Sequence, residues 1–570
     1  MGVTIVITLS DVRAMDFIDY LIVGGGSAGC VLAGRLSERA DLRIVLVESG
    51  PTFSPEDEPA AIADLTVRSF YNPDYMWSGL TAHSRTGDSA AMPYGHARVL
   101  GGGSSVNGML AQRGLPSDYD EWQSMGVTGW SWQDVLPFYR KAENDPRFPG
   151  PLHGNSGPLV LHRYKRTELS GFERAIGDVV TADGGAELAD LNGLQEVGFA
   201  PIPLSMANGR RLSAVRAYLN PGVMKRPNLM VLGRTEVRRL LIENLRVAGV
   251  ELRDASGQST VRAKHVVLCG GAIASPALLL RSGIGDSAAF ARFGVVPVID
   301  RPGVGRNLQN HPTIMLATLL SRAGRLHDRR PSCVSAIRYS SGADGCGPAD
   351  MMVSILGSVP VPTAWSPIRT RVGALMAILH KPYSRGEVTL DENGEPRITF
   401  NMLADPRDYE RILNGWRYIR RLVACARAAG MAHEAFVPLT LGPTADTAKT
   451  ALISTAASLA LDSFAAVRRK MIRAIGIPID QVSEEAAALR EWVGTFTSPA
   501  YHPAGTCRMG SPDDSSAVVD SRCRVIGISG LSVADTSIFP TLMRAGTNFP
   551  AIMAGEKCAA EILEDERAGR

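Results

Sequence analysis

The sequence predicts an α/β fold that opens on a parallel sheet, and three observations predict it. The run Phe17-Ile18-Asp19-Tyr20-Leu21-Ile22-Val23 has the apolar, β-branched character of a strand buried on both faces. It enters Gly24-Gly25-Gly26-Ser27-Ala28-Gly29 directly, and a helical stretch follows from Cys30 to Glu38. A second strand, Arg43 to Val47, ends in Glu48, 19 residues beyond Gly29.

Each element has a physical job. Gly24 permits the tight turn, Gly26 lets a diphosphate approach the backbone, and Gly29 lets the helix pack on the strand. Ser27 and Ala28 lie in the turn where the helix begins, so phosphate charge would meet the helix N-terminus there. Glu48 is placed to accept both hydroxyls of a ribose. Strand, turn, helix, strand and acid in this order predict a Rossmann-like dinucleotide site, whereas the glycines alone would be only a turn. Which dinucleotide is bound is open at this point.

Composition sets wide bounds. At 570 residues, two or more domains are expected. With 45% hydrophobic and 21% charged residues the chain reads as an ordinary soluble protein. A net charge of +3 gives no reason to expect a nucleic-acid partner. Eight cysteines, at 30, 269, 333, 346, 425, 507, 523 and 558, include no C-x-x-C pair. They read as mostly buried thiols in a reducing compartment, not as a disulfide or metal framework. Met1 to Leu9 is apolar but lacks a basic leader and a cleavage site, so a signal peptide is not expected and the fold is expected to start near Met15. No apolar run reaches eighteen residues, so no transmembrane segment is expected. A cytoplasmic location follows, with peripheral contact to the inner membrane as an alternative.

Further motifs narrow the reading. Ala97 to Asn107 (ARVLGGGSSVN) is a second glycine-serine loop without a Walker lysine. A strand from His265 to Cys269 leads into Gly270-Gly271-Ala272-Ile273-Ala274-Ser275-Pro276 and then Ser282-Gly283-Ile284-Gly285. Near the C-terminus stand Tyr501-His502-Pro503-Ala504-Gly505-Thr506-Cys507-Arg508-Met509-Gly510 and Leu531-Ser532-Val533-Ala534-Asp535. In this order the segments resemble the glucose–methanol–choline (GMC) oxidoreductase family, from about Asp16 to Leu563. In look they are closest to its choline dehydrogenase and hydroxymethylfurfural oxidase-like members.

The resemblance implies FAD, a Rossmann-like FAD-binding domain, and a discontinuous α+β substrate domain built on an antiparallel sheet. The FAD-binding domain would comprise residues 1–163, 210–312 and 496–570, and the substrate domain 164–209 and 313–495. Within the latter, Val372 to His380, Gly386 to Leu390 and Arg397 to Asn401 read as strands. The stretch 444–482 departs from the family in length. Its alanine- and leucine-rich part up to Phe464 reads as helix, followed by the basic residues Arg468, Arg469, Lys470 and Arg473. It is read as an added surface helix, with a homo-oligomer contact or a membrane or quinone-access element as alternatives.

The resemblance also implies FAD-dependent oxidation of a primary alcohol to an aldehyde. A hydroxyl needs a positioned base to ionise at neutral pH, and histidine suits the task. His502 stands in the family's catalytic motif and is the expected base, with an apparent pKa within a unit or two of about 6.5. The family's second polar residue, histidine or asparagine, falls on Gly546, which has no side chain. Three explanations stay open: His502 acts alone or with water, another side chain reaches in, or alcohol oxidation has been lost. The missing side chain also suggests an enlarged pocket. Gly103, Ser104, Ser105 and Asn107 resemble the loop against the flavin and pyrophosphate. Val237 resembles a residue at the adenine, Asp535 one near the ribityl and phosphate groups, and Asn548 one holding backbone beside the flavin ring. Tyr501 would flank the substrate, or would serve packing. Val106 occupies the covalent-attachment site of some members, so non-covalent FAD is expected. The partners implied are a small-molecule alcohol and an electron acceptor, either O2 or a quinone or other carrier. The non-oxidative alternative is a hydroxynitrile lyase, an offshoot of the same family, with a photodecarboxylase ranked lower.

Overall fold

Short apolar runs, each buried on both faces, make the central sheet. In the computed structural model, which describes residues 12, 17–85, 90–290, 294–326, 328, 330–359, 369–439 and 461–569, five strands pair in parallel. Their order is Leu229–Leu232, Ile44–Val47, Tyr20–Val23, His265–Leu268 and Leu531–Val533. The strands come from the start, the middle and the end of the chain. The first strand is shorter than expected: Phe17 is exposed, and Ile18 and Asp19 are buried but precede the strand. The first helix, Ser27–Leu36, starts three residues earlier than expected, within the turn itself.

The C-terminal helix Asn548–Ala568 packs on this first helix. At their crossing, a Cβ on Gly555 would stand 3.0 Å from Val31 Cβ and 3.1 Å from the Ala28 carbonyl. Buried Glu556 locks the pair through Arg35 at 2.7 Å, with Lys141 at 3.0 Å and the Tyr218 hydroxyl at 2.9 Å.

The second large sheet is antiparallel, ordered Gly476–Pro478, Ala432–Pro438, Pro312–Leu320, Val372–Leu379, Met351–Leu356, Cys333–Tyr339 and Gly198–Pro201, with Ser498–Pro499 alongside Pro312–Leu320. One face carries the helix Pro406–Ala428. That helix starts at Asp405, whose side chain accepts the Arg407 amide at 2.9 Å, with Pro406 in the first helical position. Among the described residues, no helix is long and apolar enough to cross a membrane.

Three expectations need correction. Glu387–Leu390 and Pro396–Thr399 are strands, but they belong to a separate four-stranded sheet with Thr81–His83 and Met92–Pro93. Alternation in sequence marks a strand but not its partner. The cysteines are not all thiols: Cys523 and Cys558 form a disulfide, with Cα atoms 6.6 Å apart. Their separation of 35 residues gives no local signal, because helix packing brings Cys558 to Cys523. Cys333, Cys346 and Cys425 are only partly buried. In the 444–482 stretch, residues 444–460 lie outside the described residues, and with them most of the helix expected up to Phe464, as does most of the N-terminal extension. The basic residues, expected after a helix reaching Phe464, lie within the helix Ala465–Ile475, where Arg468 pairs with Glu434 at 2.6 Å. That helix buries Met471 and Ile472 in a cluster with Ala317, Leu319 and Phe436, as an added helix on the sheet would.

Buried charges gather around His153. His153 reaches Glu143 at 3.1 Å through Nδ1 and Asp190 at 3.0 Å through Nε2. Arg163 holds Asp190 at 2.7 Å. Burial opposes charge on His153, but the Asp190 and Glu143 hydrogen bonds outweigh it and push its pKa up to about 8. A raised pKa in the folded state stabilises the fold fully below about pH 6.5, and this contribution is lost as pH rises through about 8. We expect the stability difference between wild type and His153→Gln to be roughly 2 kcal/mol larger at pH 6 than at pH 9, by urea unfolding. A difference independent of pH would contradict this role.

Candidate active site

Two glycine loops face each other at the end of the parallel sheet. Gly24 has φ +100°, and a Cβ there would lie 2.6 Å from the Cys269 carbonyl. On Gly29 a Cβ would lie 2.0 Å from the Gly24 carbonyl. The second loop closes on the first, since the Gly101 amide donates to the Gly25 carbonyl at 2.6 Å and a Cβ on Gly102 would meet Gly26 at 2.8 Å. By contrast, a Cβ on Gly103 would meet nothing within 4 Å, and one on Gly26 only the Cys269 carbonyl at 3.7 Å. The loops are therefore packed where they touch each other and open where a diphosphate would lie.

The groups around that opening fit a dinucleotide. Gly26 caps the helix Ser27–Leu36 without any side-chain bond, and Ala28 is buried in its first turn. Ser27 Oγ donates to Asn548 Oδ1 at 2.7 Å, which brings the N-terminus of the C-terminal helix beside the first. Glu48 accepts the Gly25 amide at 2.9 Å and the Gly50 amide at 2.7 Å, one on each oxygen, so both oxygens keep capacity for ribose hydroxyls. Burial raises its pKa. The Thr235 amide donates to the Glu48 carbonyl at 3.0 Å, setting Val237 close by on the strand Glu236–Glu243.

Other sequence-predicted residues hold the loops together with their side chains. Ser104 Oγ donates to the Gly101 carbonyl at 2.6 Å, and Ser105 Oγ to the Leu100 carbonyl at 2.7 Å. Asn107 Oδ1 accepts from the Met109 amide at 2.9 Å and from Arg211 at 2.8 Å. Asp535 is buried, and burial raises its pKa; it accepts from the Gly271 amide at 2.9 Å, Ser275 Oγ at 2.6 Å and the Ser537 amide at 2.8 Å. Val106 packs against Ile62, Met76 and Val99.

His502 sits where the C-terminal segments meet the antiparallel sheet. Its amide donates to Asn310 Oδ1 at 3.0 Å, and its Nδ1 stands 3.0 Å from His311 Nδ1. His311 Nε2 is 3.2 Å from the Met543 carbonyl, which can only accept, so His311 carries its proton on Nε2. Its Nδ1 is then an acceptor, and His502 must donate through its own Nδ1. This tautomer leaves a lone pair on His502 Nε2. Burial lowers the His502 pKa to about 4, beyond the range expected from sequence, and lowers that of fully buried His311 as well. Gly546 lies opposite: a Cβ there would stand 3.3 Å from His502 Nε2. The missing side chain thus leaves room directly in front of the base. Tyr501, with φ +61°, is stacked on Tyr94 at 5.3 Å and edge-on to Phe70 at 5.3 Å, giving the site an aromatic wall.

His311 escaped the sequence reading. It follows Gln309 and Asn310, whose side chains also clasp the C-terminal segments: the Gln309 amide nitrogen donates to the Pro540 carbonyl at 3.1 Å. The local sequence marks only a polar run before a strand. The pairing with His502 spans 191 positions and exists only in the fold.

Comparison with known proteins agrees with this geometry. Residues 18–313 and 382–555 match the N- and C-terminal models of GMC oxidoreductases. A 5-(hydroxymethyl)furfural oxidase from Methylovorus sp. (strain MP688) is 36% identical, over 96% of this chain and 98% of that protein. An oxygen-dependent choline dehydrogenase from Vibrio vulnificus (strain YJ016) is 32% identical, over 96% and 94% respectively. The crystal structure of a pyridoxine 4-oxidase from Mesorbium loti superposes with a TM-score of 0.78 at 28% identity, covering 96% of this chain and 99% of that one.

Proposed function

The chain belongs to the GMC oxidoreductases, FAD-dependent enzymes acting on CH–OH donors, and we propose that it oxidises a primary alcohol to the aldehyde with His502 as base. One observation carries the assignment of the base: the bond to His311 fixes the proton on His502 Nδ1 and leaves Nε2 free towards the space beside Gly546. The alcohol hydroxyl sits in that space and gives its proton to Nε2. FAD, when bound, supplies the acceptor for the hydride leaving the same carbon. His311 then stabilises the protonated His502 by accepting from Nδ1. Of the three explanations for Gly546, His502 acting without a second group on the substrate oxygen is the one we adopt. The vacated space admits the substituents of a bulkier alcohol, and Tyr501 with Phe70 and Tyr94 gives an aromatic one a surface to stack on.

Gly24, Gly26, Ser27, Ala28 and Gly29 hold the diphosphate, Glu48 the ribose and Val237 the adenine. Gly103 would turn its backbone to the flavin side, with Ser104, Ser105 and Asn107 holding the loop behind it and Asp535 and Asn548 shaping the backbone beside it. Cofactor binding is non-covalent, since Val106 offers no nucleophile. We assign 1–163, 210–312 and 496–570 to FAD and 164–209 and 313–495 to substrate; the strands of the parallel sheet all fall in the first set and those of the large antiparallel sheet in the second, apart from Pro312 and Ser498–Pro499. The relatives named above are oxidases and an oxygen-dependent dehydrogenase, which favours O2 as acceptor over a quinone, and oxidation over the lyase.

Anaerobic mixing of the holoenzyme with benzyl alcohol tests this reading. Bleaching of the flavin absorbance is expected; an unbleached flavin together with cyanide release from mandelonitrile would overturn it. For His311→Ala we expect reduction slowed by roughly 10²-fold with FAD content retained, because a base free to rotate loses its aim. Reduction at the wild-type rate would show that His311 does not orient the base.

A further inference from the structure

Arg338 lies in the strand Cys333–Tyr339 with none of its surface exposed. Its one hydrogen bond runs from Nη2 to the Leu191 carbonyl at 3.1 Å, while Nε and Nη1 have no partner among the described residues. Burial lowers its pKa to about 10, which still leaves it charged at neutral pH. Of the carboxylates that influence it most, Asp118 is engaged with Arg544 and Asp190 with Arg163 and His153, while Glu196 acts on it without a hydrogen bond or ion pair between them. A buried guanidinium with no carboxylate bonded to it among the described residues is costly, so a partner from outside the chain is the natural explanation.

The sheet register shows which face Arg338 occupies. Thr313 pairs with Ile378, Ile378 with Met352 and Met352 with Arg338, and directly opposite residues share a face. His311 and His380 extend this row by two residues on their strands, and their rings lie 5.1 Å apart. His311 in turn touches His502. The other face meets the helix Pro406–Ala428, where a Cβ on Gly415 would stand 3.0 Å from Met351 Cε. Arg338 therefore shares the face that carries the base. Two more buried groups on this face lack partners, His380 Nδ1 and Gln112 Oε1; Gln112 is placed there by its 3.4 Å contact with Met352 Sδ. Three strand spacings separate the His311 and Arg338 strands, roughly 14 Å between backbones, which the long arginine side chain shortens.

We propose that Arg338 binds a carboxylate of the substrate, so that the preferred substrate is an alcohol with its carboxylate at the end opposite the reacting hydroxymethyl group. The proposal rests on the alcohol-oxidising reading above. Arg338 is then the specificity-determining residue, and Gln112, with its amide turned over, and His380 supply further hydrogen bonds to the same anion. The diphosphate of the cofactor is held at the parallel sheet and does not satisfy Arg338.

Two measurements on the FAD-loaded enzyme test this. In anaerobic reduction, the ratio of efficiencies for 4-(hydroxymethyl)benzoate over benzyl alcohol is expected to exceed about 10 in the wild type and to fall about 10²-fold in Arg338→Met. A wild-type ratio below one, or a ratio unchanged by the substitution, would overturn the proposal. In thermal unfolding, 4-methylbenzoate, which has no hydroxyl to oxidise, is expected to raise the wild-type Tm, whereas toluene does not; equal effects of the two would also overturn it. This second arm needs no variant and no turnover. A flavin that neither alcohol bleaches, in an enzyme that 4-methylbenzoate stabilises, would count against alcohol oxidation while supporting the anion site.

Discussion

Replacing His502 with alanine is expected to slow anaerobic flavin reduction by benzyl alcohol by roughly 10²–10⁴-fold, the range of a positioned general base. The geometry argues for the effect in three steps. His311 dictates which nitrogen carries the proton, the other nitrogen faces space that Gly546 leaves open, and burial keeps the imidazole neutral at physiological pH. FAD content should be retained, because the His502 side chain bonds His311 and not the glycine loops. Stopped-flow absorbance measures the rate and the protein-to-flavin ratio measures the content. A variant reduced as fast as wild type would move the base elsewhere.

Gly29→Ala is expected to lower the bound flavin by at least about tenfold, because overpacking here strikes backbone that cannot move aside. Its Cβ would lie 2.0 Å from the Gly24 carbonyl, in the turn that must present its amides to the diphosphate. Gly103→Ala provides the contrast. No protein atom lies within 4 Å of the Cβ it would add, so the empty protein should fold and melt as wild type does. Weaker FAD affinity in that variant would report directly that the cofactor fills the opening. Unchanged flavin content in Gly29→Ala would show that the turn does not need its glycine.

The cofactor half of the site was legible because its signal is local. Strand, turn, helix and acid lie within Tyr20–Glu48, and the close approach of Gly29 to Gly24 acts between near neighbours, although Gly24 is also pressed by the distant Cys269 carbonyl. Ser104, Ser105 and Asn107 show the limit of such reading. Residue type marks them as polar loop residues, but their side chains and their amides alike are spent holding the loop, which leaves the open backbone at Gly103 to meet the cofactor. The substrate half was mostly illegible. His311 gains meaning only by meeting His502, and Arg338 only because three strand pairings carry it to the same face. In sequence one is a histidine before a proline and the other an arginine in an apolar strand. The Cys523–Cys558 disulfide and the four-stranded sheet escaped for the same reason, since both depend on long-range packing.

The pH profile of wild-type flavin reduction reads the protonation of the proposed base in the intact enzyme. The base works in its neutral form, and burial places its pKa at about 4. The anaerobic reduction rate by benzyl alcohol is expected to be flat from about pH 6 to pH 9 and to fall tenfold per unit only below about pH 4. A rate that keeps rising through neutrality, with an apparent pKa near or above 7, would contradict His502 as the buried base.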